Sequence, residues 1–223
     1  YYDDVAATFT NFAMSGIDKV HFGLEAAVSI PIYHTLALNG AVSWGQYTYD
    51  SNPYYLQTQD NSGDIVSDGY VYWKDFRVES TPQTAVNVGL SWRSNNNIYL
   101  SADFNYYNNM YLSMSPIYRT DAVITGGMAP GDIEHLRRQE KFDSAYTLNA
   151  SIGKNWYIHR KYTLGFSLDV KNILNNQDIK TGGYEQTRLS KNTETTVTTY
   201  QAFDSKYFYM FGTTYYLNLY FRF

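Results

Sequence analysis

Four histidines, His21, His34, His135 and His159, are the first residues to question about metal binding or proton transfer. No two of them stand at i, i+2 or i, i+4, the spacings that bring two imidazoles to one face of a strand or helix. The chain has no cysteine, which excludes disulfides and thiolate metal sites but fixes no compartment. Asp60-Asn-Ser-Gly-Asp64 sets oxygen ligands around a glycine as a calcium loop begins, yet no closing bidentate acid follows, so it reads as a hydrophilic turn. Gly126-Gly127 and Gly182-Gly183 lack the strand–helix context of a phosphate cradle and punctuate loops. No Ser/His/Asp arrangement can be argued. The sequence therefore assigns no catalytic residue, no metal ligand and no cofactor.

Binding is better supplied than catalysis. Aromatics make up 18% of the chain, and 24 residues are tyrosine. Such side chains suit surfaces that are apolar at one end and wet at the other. Tyr54, Tyr55, Tyr70, Tyr72 and Trp73 gather in the first long connection, and Tyr106, Tyr107, Tyr111 and Tyr118 open the second. Aromatic faces with polar tips hold sugars, peptides or a ring-bearing cofactor. The competing reading is an aromatic girdle, or a brace between loops. Tyr106 and Tyr107 are assigned to the girdle, and the set Tyr54, Tyr55, Tyr70, Tyr72 and Trp73 is the ligand candidate. The net charge of −4 and the isolated pair Arg137-Arg138 give no support for nucleic-acid binding.

The elements that must position these residues are strands. Seven segments alternate apolar and small or polar residues at period two. Their apolar sides are Phe22–Ile30, Leu36–Trp44, Val86–Trp92, Ile98–Tyr106, Tyr146–Ile152, Leu164–Val170, and a terminal strand within 207–223. In the last of these, Tyr215, Leu217, Leu219, Phe221 and Phe223 share one face, and Tyr216, Asn218, Tyr220 and Arg222 the other. Glu25, Arg93, Asp103, Asp169, Lys171 and Arg222 all fall on the polar side of these segments. An Arg or Lys near the bilayer midplane costs about 2–4 kcal/mol, so their exclusion from one face points to lipid. A soluble sandwich also segregates its faces, but would not so readily set so many Gly, Ser and Asn opposite the apolar set.

Connection lengths agree with a membrane barrel. Short turns at 31–35, 94–97 and 156–161 alternate with long connections at about 50–81, 108–141 and 175–206. Outer-membrane barrels pair short periplasmic turns with long extracellular loops. Mean hydropathy is −0.43 and no helical span is present, but alternating strands escape that test. Seven is an odd number where single-chain bacterial barrels use even ones. Residues 1–16 would have to supply an eighth strand, and the stretch 5–12 is short and poorly patterned. They read instead as the end of another extracellular loop. The chain opens at Tyr1 without a signal-like segment, which reads as processing or as a piece of something longer.

At this point a resemblance enters. Asn11-Phe-Ala-Met-Ser-Gly-Ile-Asp-Lys-Val-His-Phe-Gly-Leu-Glu25, Leu168-Asp-Val-Lys-Asn-Ile-Leu-Asn175, Gly182-Gly-Tyr-Glu-Gln-Thr-Arg188 and the terminal Phe223 resemble TonB-dependent outer-membrane transporters. Glu140-Lys-Phe-Asp143 and Ser151-Ile-Gly-Lys154 bring the likeness nearest to Bacteroidetes-type members. The resemblance implies an all-β fold: the last seven or so antiparallel strands of a transmembrane β-barrel of about 22 strands, with residues 1–223 its C-terminal part. It implies uptake of a scarce nutrient such as a metal chelate, glycan or peptide, driven through TonB, and a location in the bacterial outer membrane. Glu25, Asp103, Asp169 and Lys171 then face the lumen and a plug domain. Tyr215, Leu217, Leu219, Phe221 and Phe223 carry the assembly signal read by the barrel assembly machinery. Further partners are outer-membrane lipid, the plug and earlier strands of the same transporter, TonB, and a surface lipoprotein. The plug and earlier strands are absent from this sequence. The alternatives are a small eight-stranded barrel acting as adhesin or structural protein, an outer-membrane hydrolase using His135, and a soluble sandwich.

Overall fold

The computed structural model describes residues 1–3, 6–159, 161–191 and 198–223. In chain order the first strands are β1 (Tyr2–Asp3), β2 (Thr8–Ser15), β3 (Lys19–Tyr33), β4 (Leu36–Tyr49), β5 (Tyr54–Gln59), β6 (Ile65–Tyr70) and β7 (Thr84–Arg93). They are followed by β8 (Ile98–Asn108), β9 (Ala145–Ile158), β10 (Tyr162–Lys171), β11 (Lys180–Lys191), β12 (Thr198–Tyr209) and β13 (Thr214–Arg222). Among the described residues, helical structure is confined to the second long connection, in the 3-10 turn Pro116–Arg119, α1 (Asp121–Ile124) and α2 (Pro130–Leu136). Among the described residues no helix is long and apolar enough to cross a membrane.

All seven alternating segments join one antiparallel sheet, ordered β13-β10-β9-β8-β7-β4-β3. Register carries the period-two pattern across the whole sheet. One face holds rows such as Leu36–Trp92–Leu100–Ile152–Leu168–Leu217. The opposite face holds Ser91–Ser101–Ser151–Asp169–Tyr216 and Ala41–Asn87–Asn105–Thr147. Because a slip of one residue would exchange the faces, the pattern pins the register. On the polar face the cross-strand pairs bond directly. Ser29 Oγ donates to Asn39 Oδ1 at 2.7 Å, and Asn87 Nδ2 donates to Asn105 Oδ1 at 2.8 Å. Ser101 and Ser151 hydroxyls meet at 2.7 Å.

Three glycines on this face, Gly45, Gly153 and Gly165, have tyrosine rings lying over them, the last two from a neighbouring strand. A Cβ at Gly153 would come within 2.1 Å of the Tyr99 ring, and one at Gly165 within 2.3 Å of the Tyr220 ring. The tyrosines cover backbone that would otherwise be bare, as aromatic residues do for sheet glycines.

The apolar face is uncovered. Leu24, Leu217 and Leu219 are 69%, 60% and 70% exposed. Contiguous exposed apolar surface beyond a few hundred Å² marks a surface made for protein or membrane. Aromatic residues border it. On β9, Tyr146 and Trp156 share this face ten residues apart, about 34 Å along a strand at ~3.4 Å per residue. A tilt of about 40° projects that to about 26 Å, close to the ~25 Å apolar band of outer-membrane barrels. One charge lies just inside this span: Lys154, two residues short of Trp156, shares the face with Ile98 and Phe166 and places its ammonium 5.2 Å from the Trp156 ring.

The buried core lies elsewhere. One cluster joins Tyr49, Tyr55, Val71, Trp73 and Met114; the other joins Met110, Leu112, Phe142, Ala145 and Ile179. Both sit at the end of the sheet with the long connections. Both also draw on strand residues of the polar face: Tyr49 in line with Ser43, and Ala145 in line with Thr147. The long connections therefore fold over the polar side and leave the apolar side open. Tyr107 follows that rule. Tyr106 pairs with Val86 and Tyr146 on the apolar face, but Tyr107 faces the other way and packs on the second cluster, so its assignment to the girdle is corrected.

Three further differences from the sequence reading have local causes. The 31–35 turn shortens to His34-Thr35, because Lys19–Tyr33 pairs with Leu36–Tyr49 nearly to the end. The long connections are not irregular: β5–β6 and β11–β12 are hairpins, and β2 and β1 complete a second sheet ordered β1-β2-β5-β6. The stretch 5–12, whose Val5 lies outside the described residues, thus meets β5 rather than the terminal strand. That strand is also shorter than expected, since Tyr207, Phe208 and Tyr209 belong to β12. The Asn172-Ile-Leu-Asn175 turn makes the break. Asn172 and Asn175 adopt left-handed φ of 51° and 52°. The Asn172 amide donates to the carbonyls of Asn176 at 2.9 Å and Phe211 at 3.1 Å, and Asn175 Oδ1 accepts from Thr213 N at 3.1 Å.

Candidate functional site

The long connections come together around Arg119, one of the largest fully buried side chains. Arg119 is the last residue of the 3-10 turn Pro116–Arg119. Its Nε donates to Leu136 O at 2.9 Å, its Nη1 to Ser115 O at 2.9 Å, and its Nη2 to Glu185 Oε2 at 2.9 Å. Nη1 also meets Glu185 Oε1, completing a bidentate pair. The guanidinium stands 5.5 Å from the Phe76 ring. Phe76 comes from the first long connection, Arg119 from the second and Glu185 from the third. A single side chain ties all of them.

A second tie is Glu140. Its Oε1 accepts from Tyr207 Oη at 2.7 Å and its Oε2 from Ser205 Oγ at 3.2 Å. Lys180 Nζ stands 3.6 Å from the Tyr207 ring centroid and 3.5 Å from Glu140 Oε1. The Glu140 carboxylate, accepting its hydrogen bond, raises the Tyr207 phenol above its ordinary value. Burial pulls the Lys180 ammonium down, but Tyr207 and Glu140 together carry it upward.

The aromatic candidates divide. Tyr55 is fully buried and Trp73 nearly so; Tyr55 stacks on Phe12 at 5.2 Å and Trp73 on Tyr49 at 4.4 Å. Those two brace the loops and present no face to a ligand. Tyr54, Tyr70 and Tyr72 are exposed. Tyr54 and Tyr70 meet edge to face at 5.8 Å. Tyr54 Oη donates to Asp68 Oδ2 at 2.5 Å, and Tyr70 N donates to Asp121 Oδ2 at 2.7 Å. Hydrogen bonds to Asp68 and Asp121 raise the phenols of Tyr54 and Tyr72 respectively. Position decides the split: on β5, neighbouring residues point to opposite faces, and only one is covered.

On the sheet, Glu25, Asp103, Asp169 and Lys171 lie on the polar face. Glu25 accepts from Ser43 Oγ at 3.3 Å. Asp103 lies against Gly89, and Asp169 sits between Ser151 and Tyr216. Tyr215, Leu217, Leu219, Phe221 and Phe223 form one exposed face, with Phe221 stacked on Tyr162 at 5.8 Å. The histidines stay apart: His135 meets Tyr200 at 5.6 Å and His21 meets Tyr47 at 4.8 Å. Among the described residues no group of three His, Asp or Glu is placed to hold a metal. Asp60-Asn-Ser-Gly-Asp64 turns β5 into β6, with Ser62 Oγ donating to Asp64 Oδ2 at 2.7 Å and Gly63 at φ 74°.

Arg119 and Glu185 escape the sequence reading because they are 66 residues apart and neither sits in a motif that marks a buried pair. Glu185 does fall inside the Gly182–Arg188 stretch noted for its resemblance, the one available signal. No protein family, no curated protein and no solved structure matches the chain.

Proposed function

We propose that this chain is an arc of an outer-membrane β-barrel, the C-terminal portion of a TonB-dependent transporter that imports a scarce nutrient. The observation that carries the reading is the two-faced sheet. Its apolar face is exposed, aromatic-bordered and about one bilayer tall, while the loops fold over its polar face. Lipid on one side and a protein-filled lumen on the other would satisfy both.

One feature supports a larger barrel over a small closed one. β13 pairs with β10 alone and β3 with β4 alone, so the described sheet is open at both edges. Long unpaired edges invite aggregation unless another strand covers them. In this reading the earlier strands of the same transporter cover them, a plug meets Glu25, Asp103, Asp169 and Lys171, and TonB acts through that plug. The exposed face of β13 would engage the barrel assembly machinery, and the loop cap would meet the nutrient and a surface lipoprotein.

The test is location and energy coupling. The full-length protein expressed in a Gram-negative host should fractionate with the outer membrane and resist alkaline extraction. Nutrient-dependent growth through it should be lost when TonB is removed. Recovery in the aqueous fraction would refute the membrane reading, and TonB-independent uptake would refute the transporter.

A further inference from the structure

We infer that the groove between the second long connection and the β11–β12 hairpin binds a neutral saccharide, with Tyr184 and Phe203 as its stacking surfaces. This rests on the extracellular placement of the loops under the transporter reading, and narrows the nutrient to one class.

The groove has a volume of about 610 Å³ and opens to solvent. Ser115 and Tyr118 form one wall, and Tyr184, Gln186 and Phe203 the other. Phe203 is directly opposite Gln186 in the hairpin register, so ring and amide share a face. Tyr184 and Phe203 are 49% and 46% exposed, each offering about half a ring to solvent. The Tyr118 hydroxyl donates to Thr187 O at 2.8 Å, which fixes the ring at the edge of the hairpin.

Charge selects the ligand. The acid in the lining, Glu185, is neutralised by Arg119 and accepts a further bond from Ser115 N at 2.5 Å. Arg188 is itself engaged by a neighbouring group. A charged chelate would therefore find no free countercharge. What the lining offers is ring faces alternating with neutral donors and acceptors. A pyranose matches that pattern, with an apolar C–H face for stacking and a rim of hydroxyls for hydrogen bonds. The clamp at Arg119 holds the two walls at fixed separation, so the groove is formed before a ligand arrives.

The test uses the full-length protein in nanodiscs against immobilised neutral oligosaccharides: malto-, cello-, xylo- and manno-series. We expect binding to at least one series, weakened tenfold or more by Tyr184→Ala and by Phe203→Ala. Tyr157→Ala, an exposed aromatic beside the short turn that follows β9, should leave it within twofold. Circular dichroism and nanodisc incorporation report whether each variant is folded. Binding to none of the series by protein that incorporates normally would overturn the saccharide assignment while leaving the membrane reading intact. Binding that ignores both substitutions would overturn the site. Failure to incorporate, with saccharide binding retained by soluble protein, would instead sink the membrane reading and spare the groove.

Discussion

At the scale of single residues the molecule depends most on Arg119. Its guanidinium is buried, forked onto Glu185 and shared with two carbonyls. Removing one partner of a buried pair leaves the other uncompensated, at a cost of about 3–5 kcal/mol. Arg119→Ala should therefore loosen all of the connections it ties, seen as faster amide hydrogen exchange in β11 and around Phe76 with the sheet unchanged. Exchange rising only next to residue 119 would count against a shared clamp. The Tyr207–Glu140 bond makes a pH prediction. A phenol raised in the folded state contributes stability that is complete below its unfolded value of about 10 and is lost as pH rises through the folded value. The absorbance titration of the wild type minus that of Tyr207→Phe should show the missing phenol ionising above the ordinary tyrosine value; a difference step at the ordinary value would contradict the contact.

At the scale of elements, the pairing of glycine with tyrosine across strands is the most easily tested feature. Gly165→Val should displace the Tyr220 ring and lower stability by about 1–3 kcal/mol through overpacking. Gly165→Val with Tyr220→Ala should recover part of the loss. If the double variant were the less stable of the two, the ring would not be what occupies that space. This scale also separates what the sequence shows from what it hides. All seven strands of the large sheet are legible, because two unlike surroundings impose period two on every one of them. The hairpins in the connections are not, since their cover comes from distant loops: Tyr55 is buried and Tyr54 exposed because Tyr49, Trp73 and Met114 pack on the face of β5 that Tyr55 shares. The end of β12 hides for a similar reason. Tyr207–Tyr209 continues the aromatic pattern of β13, and only the tertiary bonds of Asn172 and Asn175 divide them.

For the whole molecule the claim is that one face of the sheet meets lipid. Leu100 and Ser101 are adjacent on β8 and point to opposite faces. Leu100→Arg should cost about 2–4 kcal/mol of insertion if it lies near the midplane, and reduce the protein recovered from the outer membrane. Ser101→Arg should be tolerated far better. The most direct measurement uses the absence of cysteine from these 223 residues, any cysteine elsewhere in the full-length protein being replaced by serine. Single cysteines placed along 98–106 of the full-length protein in bilayers would be labelled with a fluorophore and exposed to quenchers on lipid acyl chains. The reading predicts quenching at 98, 100, 102 and 104 and protection at 99, 101, 103 and 105. Equal quenching on both faces, or protection of the even positions, would contradict it.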